Sequence, residues 1–254
     1  MGNKKFGDLV IIVPCYNEYN RLPLSEITNF LEKEPNATLF FIDDASSDNT
    51  IDRLLTLEKA FPAKVLKLSN GRNLGKAESI RNAVLYCLKH NIGGNFAYLD
   101  ADLATSLEEC YSYLPYLQNG KGFVFASRIL KIGSIVERKF SRFISGRIIA
   151  SFISNILDIK VYDTQCGCKL FTKEIAILAF QKPFISKWLF DVEIFSRILV
   201  HYGKPTALEL MDEIPVKQWI DKGDSKVKLS YFFRLWVDLY RIWRSHQQNI
   251  KAHG

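Results

Sequence analysis

Residues 9–14 (LVIIVP) form an unbroken apolar run of strand length, and residues 26–34 then place apolar side chains at helical spacing. The alternation continues. TLFFIDD at 38–44 leads into a helix opened by Asp48, VLKLS at 65–69 into one from about Lys76, and NFAYLD at 95–100 into another. The start of that last helix carries Ser106 and Glu109 at capping-box spacing. Strands that are apolar throughout are covered on both faces, so the pattern predicts a doubly wound α/β fold with a mostly parallel sheet. Such sheets bind ligands beyond the carboxyl ends of their strands. The polar residues collect there: Tyr16, Asn17 and Glu18 follow the first strand and Asp43 and Asp44 close the second. Arg72 to Lys76 follow the third, and Asp100, Ala101 and Asp102 close the fourth.

After about residue 127 the alternation stops. A long helical stretch, FSRFISGRIIASFISNIL, leads to DTQCGCKLF at 163–171, a helix near 190–202, an extended segment through EIPV at 213–216 and a basic amphipathic helix from about 228. No repeat or Pro/Gly-rich linker interrupts the chain. One domain over residues 1–227 is expected, with a nucleotide-binding half to about 127 and an acceptor half to 227, followed by a helix and tail at 228–254.

A chain of 254 residues with 48% apolar content can bury a sizeable core. Its 34 Lys plus Arg against 27 Asp plus Glu give a formal charge of +7, which suits an anionic partner without naming one. The five scattered cysteines lack zinc-site spacing and read as reduced thiols of a cytoplasmic protein. The N-terminal residues carry neither a signal-peptide pattern nor Ser or Thr at the myristoylation position, and no apolar run reaches bilayer-spanning length. Membrane contact is therefore expected only at the surface, peripherally on the cytoplasmic face.

Asp100-Ala101-Asp102 at a strand end sets two carboxylates beside each other, hard oxygen donors suited to Mg2+ or Mn2+ that leave positions for diphosphate oxygens. A bare Asp-x-Asp is weak and also fits a pair of solvated loop acids. Asp43, Asp44, Arg72 and Lys76 converging on the same edge favour the metal reading. The Asp-x-Asp also resembles that of haloacid-dehalogenase phosphatases, although there it follows the first strand. A non-catalytic nucleotide-binding module is a further alternative. A dinucleotide-dependent oxidoreductase is disfavoured, because no GxGxxG follows the first strand. None of His90, His201, His246 and His253 is assigned a catalytic role.

VIIVPCYNEYNRL, FIDDASSDNT, GRNLGKAESIRNAV, YLDADLAT and DTQCGCKLF occur in the order and spacing of family 2 inverting glycosyltransferases. The resemblance is greatest to the polyisoprenyl-phosphate branch, especially dolichyl-phosphate β-glucosyltransferases, and covers about residues 9–193 with an echo at EIPVKQW. It implies a GT-A fold and transfer of a hexose, glucose above all, from a UDP-sugar to a polyisoprenyl phosphate, with Mg2+ or Mn2+ and no nucleic-acid partner. Transfer to a saccharide hydroxyl is the alternative within the family. By resemblance Pro14, Tyr16, Asn17 and Glu18 line the nucleoside pocket, Asp43 accepts a hydrogen bond from the base, and Lys76 approaches the diphosphate. Asp100 lies by ribose and metal, with Asp102 as the direct ligand. Ala45, where many relatives have Gly, Ala104, where mannose synthases have Gln, and Cys168, where Phe is expected, depart from the pattern.

Asp191 and Glu193 in WLFDVE are the candidates for a general base. A phosphate acceptor is already largely ionised near neutrality, so Asp191 positioning the acceptor, or holding the loop of Asp163 and Gln165, is the equal alternative. If residues 138–157 are helical, Arg138, Arg142 and Ser145 share one face suited to an acceptor phosphate, with Arg128 joining them and Phe143, Ile144, Ile148 and Phe152 to the side. In the last helix Phe232, Trp236, Leu239 and Trp243 share a face, with Arg234, Arg241 and Arg244 around the other. That pattern suits either an anionic membrane interface or packing on the domain.

Overall fold

The computed structural model of the chain describes residues 6–137, 140–220 and 230–253. Four strands open it: β1 (Leu9–Cys15), β2 (Ala37–Asp43), β3 (Val65–Ser69) and β4 (Asn95–Leu99). Helices α1 (Leu24–Lys33), α2 (Thr50–Ala60) and α3 (Lys76–His90) connect them. There follow the short helices α4 (Leu107–Tyr111) and α5 (Leu114–Gln118), then β5 (Phe123–Ser127), β6 (Ile135–Glu137) and α6 (Phe140–Leu157). The chain continues through β7 (Cys168–Thr172), α7 (Lys173–Phe180), α8 (Phe190–Tyr202) and α9 (Lys204–Leu210) to β8 (Met211–Pro215), β9 (Gln218–Ile220) and α10 (Ser230–His253).

Seven strands form one sheet in the order β3-β2-β1-β4-β7-β5-β8, and only β7 runs antiparallel to its neighbours. The apolar run of β1 is explained by its central place. Val10 and Ile12 enter the core beneath α3 and α6–α10, whereas Leu9, Ile11 and Val13 enter the core beneath α1, α2, α4 and α5. From β1 to β3 the sheet grows one way, and α3 then carries the chain back across the opposite face to β4. Right-handed crossovers require that change of face when strand order reverses. The reversal opens a crevice between the carboxyl ends of β1 and β4, where such sheets take their ligands.

The alternation expected to end near 127 does end, but the sheet does not. β5, β7 and β8 extend it, and the antiparallel β7 begins at the crevice edge. β6 and β9 pair separately as a small parallel ribbon. The expected capping box is only half made: Ser106 Oγ accepts from Glu109 N–H at 3.1 Å. The Glu109 carboxylate instead receives Tyr113 Oη at 3.0 Å and the backbone N–H groups of Lys217 and Gln218, tying the end of β8 to α4.

Helix α10 packs on α8 and α6 through Leu235, Leu239 and Ile242, each buried. Full burial of such side chains is worth about 1.5–3 kcal/mol apiece. The expected stripe is thus rotated: Leu239 faces the core, while Trp236 and Trp243 stay partly exposed. Two polar side chains on the buried side are matched, Asp238 accepting from Ser186 Oγ at 2.8 Å and His246 Nδ1 meeting Ser196 Oγ at 2.8 Å. Burial lowers the His246 pKa below its ordinary value. Protonation therefore favours the unfolded state, so α10 docking is fully stable above the unfolded value near 6.5 and weakens as pH falls below it. Thermal melts at pH 7.5 and 5.5 should show a loss of stability that His246→Gln reduces; an unchanged pH dependence in the variant would remove His246 from this role.

Candidate active site

Each loop at the crevice is held in place by a different side chain. Asn17, at φ 52°, accepts Ser47 N–H at 2.8 Å and donates its own N–H to Ser46 Oγ at 3.0 Å, clipping the β1 loop to the β2 loop. Asp44 accepts from Asn70 Nδ2, Leu74 N–H and Gly75 N–H, each at 2.8 Å, and so builds the turn that delivers Lys76. Ala45 sits at φ 57°, a left-handed conformation costing a non-glycine residue about 1 kcal/mol.

Asp43 is buried, and its Oδ2 accepts only a long bond from Ser46 N–H at 3.3 Å. Its Oδ1 is buried with no hydrogen-bond partner among the described residues. An orphaned carboxylate oxygen at the crevice edge costs about 1–3 kcal/mol and fits an N–H donor of a ligand. Pro14 and Tyr16 line the same edge from β1, Tyr16 about 39% exposed, and Arg72 stands exposed on the next turn.

Asp100 and Asp102 lie together beyond β4. Lys76 Nζ contacts Asp100 Oδ1, and Arg21 reaches Asp102 Oδ2 at 3.9 Å while leaning on Glu18 at 3.6 Å. Burial, and then the neighbouring Asp100 charge, raise the Asp102 pKa. For Lys76, burial opposes its charge, but Asp100, Asp191 and Asp102 outweigh it and raise the pKa. Two carboxylates that disfavour each other's charge, each with an accessible oxygen, are a donor set that fits a hard divalent cation. No group of three or more His, Cys, Asp or Glu side chains suited to a metal occurs among the described residues. Asp100 N–H donates to Gly167 O at 3.1 Å, and a Cβ on Gly167 would fall 1.9 Å from Asp100 Oδ2. Any side chain at 167 would have to displace the Asp100 carboxylate from this position.

On the β7 side Asp163 receives the Arg128 guanidinium through Nε at 2.6 Å and Nη2 at 2.9 Å, together with Arg128 N–H at 3.1 Å and Gln165 N–H at 3.0 Å. Burial alone would raise Asp163, but Arg128 outweighs it and holds the carboxyl at about 2. Both oxygens are committed to this fork, which aims Arg128 across Trp219 at 5.2 Å. Asp191 is also buried, its Oδ1 accepting from Tyr98 Oη and pairing with Lys169 Nζ at 2.7 Å. Lys169, with no exposed surface, donates to Cys166 O at 2.6 Å. Glu193 accepts Ile185 and Ser186 N–H, each at 2.9 Å, and burial raises its pKa.

Of the candidates for an acceptor face, Arg138 lies outside the described residues, as do the side chains of Arg142 and Ser145 on α6. Sequence reasoning missed Arg21, Lys169, Tyr98 and Glu213, whose carboxylate accepts Tyr162 and Asp163 N–H at 2.8–3.1 Å. The one available signal was Lys169, a charge inside an otherwise apolar strand. A cavity of about 550 Å³ opens beside the Asp102 turn, lined by Leu103, Ala104, Ser106, Lys217 and Gln218 among others.

A mostly parallel sheet with one antiparallel strand and a carboxylate pair beyond β4 is the arrangement of a GT-A fold. Residues 10–178 match the model of Glycosyl transferase family 2, and the chain belongs to that family. A dolichyl-phosphate beta-glucosyltransferase of Trichomonas vaginalis is 32% identical over 94% of this chain and 74% of its own length. One from Drosophila melanogaster is 32% identical over 93% and 74%, and the human one is 29% identical over 90% and 77%. Among solved structures, glucosyl-3-phosphoglycerate synthase from Mycobacterium tuberculosis with Mn2+, UDP-glucose and phosphoglyceric acid superposes with a TM-score of 0.66. That likeness, at 14% identity over 94% of this chain and 79% of the other, is one of fold.

The Gly167 contact yields a separable test. In Gly167→Ala the Asp100 carboxylate, the free end of a side chain, can swing aside, so the melting temperature should move by under about 4 °C. A misplaced site carboxylate should nevertheless lower transfer by about a hundredfold. Normal turnover in a folded variant would show that the Asp100 position is immaterial.

Proposed function

We propose that this glycosyltransferase moves glucose from UDP-glucose to a polyisoprenyl phosphate with inversion at the anomeric carbon. The observation that carries this is the match, over nine-tenths of the chain, to dolichyl-phosphate beta-glucosyltransferases. The site chemistry supports it. Asp43 Oδ1 has the charge and burial to accept the uracil imide N–H, and Pro14, Tyr16, Asn17 and Glu18 shape the pocket around the base. Asp100 and Asp102 would hold Mg2+ or Mn2+, which when bound neutralises charge developing on the departing diphosphate. Lys76 and Arg72 add positive charge on the diphosphate side, and Asp44 keeps their turn in shape.

An acceptor phosphate oxygen attacks C1 of glucose as the bond from C1 to the diphosphate oxygen breaks and UDP departs. That nucleophile is already ionised, so no base is needed. We accordingly read Asp191 and Glu193 as positioning residues: both Glu193 oxygens accept backbone N–H groups, and Asp191 Oδ1 is held by Tyr98 and Lys169. Arg128, aimed by Asp163 with Gln165 alongside, is our described candidate for the acceptor phosphate; Arg138, Arg142 and Ser145 remain candidates from sequence. We take residues 1–227 and α10 as one working unit, because α10 completes the core.

No described helix is long and apolar enough to cross a membrane. Ile148 and Phe152 of α6 and Trp236, Tyr240 and Trp243 of α10 are nevertheless exposed, with Phe152 edge-on to Trp236 at 4.9 Å. Arg241 and Arg244 lie exposed nearby along α10. We read this face as resting on an anionic lipid surface where the acceptor resides.

Incubation with UDP-glucose, Mn2+ and dolichyl phosphate should give an organic-extractable β-glucosyl lipid. Exclusive transfer to saccharides would replace the acceptor, and release of free phosphate alone would favour a phosphatase. In calorimetry UDP should bind more tightly than GDP, and Asp43→Ala should weaken UDP by about 1.5–3 kcal/mol and erase the preference. Unchanged UDP affinity in a folded Asp43→Ala would remove Asp43 from base recognition. Trp236→Ser with Trp243→Ser should lower flotation with anionic vesicles while leaving UDP affinity intact; unchanged flotation would reject the lipid face.

A further inference from the structure

We infer that Lys76 is a built-in counter-cation for Asp100 that must be exchanged when the donor arrives, so that the divalent metal binds tightly only together with the nucleotide diphosphate. This rests on the donor site proposed above. In the structure each of the two carboxylates has a cation: Lys76 Nζ contacts Asp100 Oδ1, and Arg21 stands 3.9 Å from Asp102 Oδ2. A metal approaching Asp100 therefore meets an ammonium on the oxygen it needs. Moving that ammonium away without a new anion would leave a partly buried charge uncompensated. Asp191, the next carboxylate inward, already helps to keep Lys76 charged and is shared with Lys169, which pairs with its Oδ1 at 2.7 Å.

The local structure allows the exchange. Asp44 fixes the backbone just before Lys76 through Leu74 and Gly75 N–H, at 2.8 Å each, and Gly75 holds φ 89°. The base of the side chain is thus anchored, while its four-carbon stem has rotatable bonds and its ammonium is about 5.9 Å from the Phe190 ring. A diphosphate offers the ammonium a stronger anion, after which Asp100 is free for the metal. Each ligand removes the obstacle to the other, and the coupling is reciprocal. Without a positive group at position 76 the obstacle is absent from the start.

Mn2+ titrations of the full chain, read by the electron paramagnetic resonance of the free ion, test this with no turnover needed. Without nucleotide, Lys76→Gln should bind Mn2+ roughly tenfold more tightly than wild type, and UDP should then tighten it by a smaller factor. Lys76→Arg, which keeps the charge, should resemble wild type. Lys187→Gln removes an equal charge from a side chain lying over Gly75 and should also resemble wild type. Unchanged Mn2+ affinity in Lys76→Gln, or an equal gain in Lys187→Gln, would overturn the exchange. Asp102→Asn separates the two readings. If it abolishes Mn2+ binding while Lys76→Gln changes nothing, the metal site stands and the exchange falls; if it binds Mn2+ as wild type does, the metal site falls too.

Discussion

The contact on which the rest of the site depends is the one between Asp100 and Gly167. Asp100 leaves β4 where the parallel strands end, and β7 enters there because it runs against them. The Asp100 N–H is held by Gly167 O, and the carboxylate fills the space where a side chain at 167 would stand. One reversal of strand direction thus joins two segments 67 positions apart, the carboxylates after β4 and the DTQCG loop before β7. The orientation of Asp100 toward Lys76, and the distance between the carboxylates after β4 and the Arg128–Asp163 pair, follow from that junction.

Around it, charges are arranged in compensating pairs. Asp102 faces Arg21, Asp100 faces Lys76, Asp191 faces Lys169 and Asp163 faces Arg128. Going inward the pairs become more buried and more heavily bonded: Lys169 has no exposed surface, whereas Lys76 and Asp100 are partly open. Buried pairs of this kind repay their desolvation only when hydrogen bonds complete them, as Tyr98 and Cys166 O do for Asp191 and Lys169. The inner pairs are suited to hold shape. The outer ones can exchange partners at lower cost, which is where a ligand would enter.

Helix α10 connects this site to the opposite surface. Its buried side donates Leu235, Leu239 and Ile242 to the core and accepts Ser186 Oγ on Asp238. Ser186 in turn accepts the N–H of Leu189 at 3.0 Å, immediately before the helix that carries Asp191 and Glu193. The outer side shows aromatic residues and arginines. One helix therefore supports α8, with Asp191 and Glu193, from behind while presenting an amphipathic face outward.

Much of this was legible in the residue pattern. Apolar runs without alternation require burial on both faces, so the parallel sheet, its first four strands and the polar strand ends could be read directly, and the motifs carried the family. The beginnings of α3, α6, α8 and α10 were also legible, because helical spacing is a local property. What the sequence left open were the partners of each charge. Asp191 and Glu193 read as candidate bases, Asp191 equally well as a support, and only the folded chain places Tyr98 and Lys169 on Asp191 Oδ1 and the 185–186 backbone on both Glu193 oxygens. The outer stripe of α10 was read one residue away from its buried side, since periodicity reports an apolar face but not which neighbour covers it. The sequence alone determined which segments must be buried and which chemical groups stand at strand ends, because those depend on near neighbours in the chain. Tertiary structure decided which carboxylates are compensated and which oxygens stay available, because ion pairs such as Arg128 with Asp163 join residues far apart in sequence.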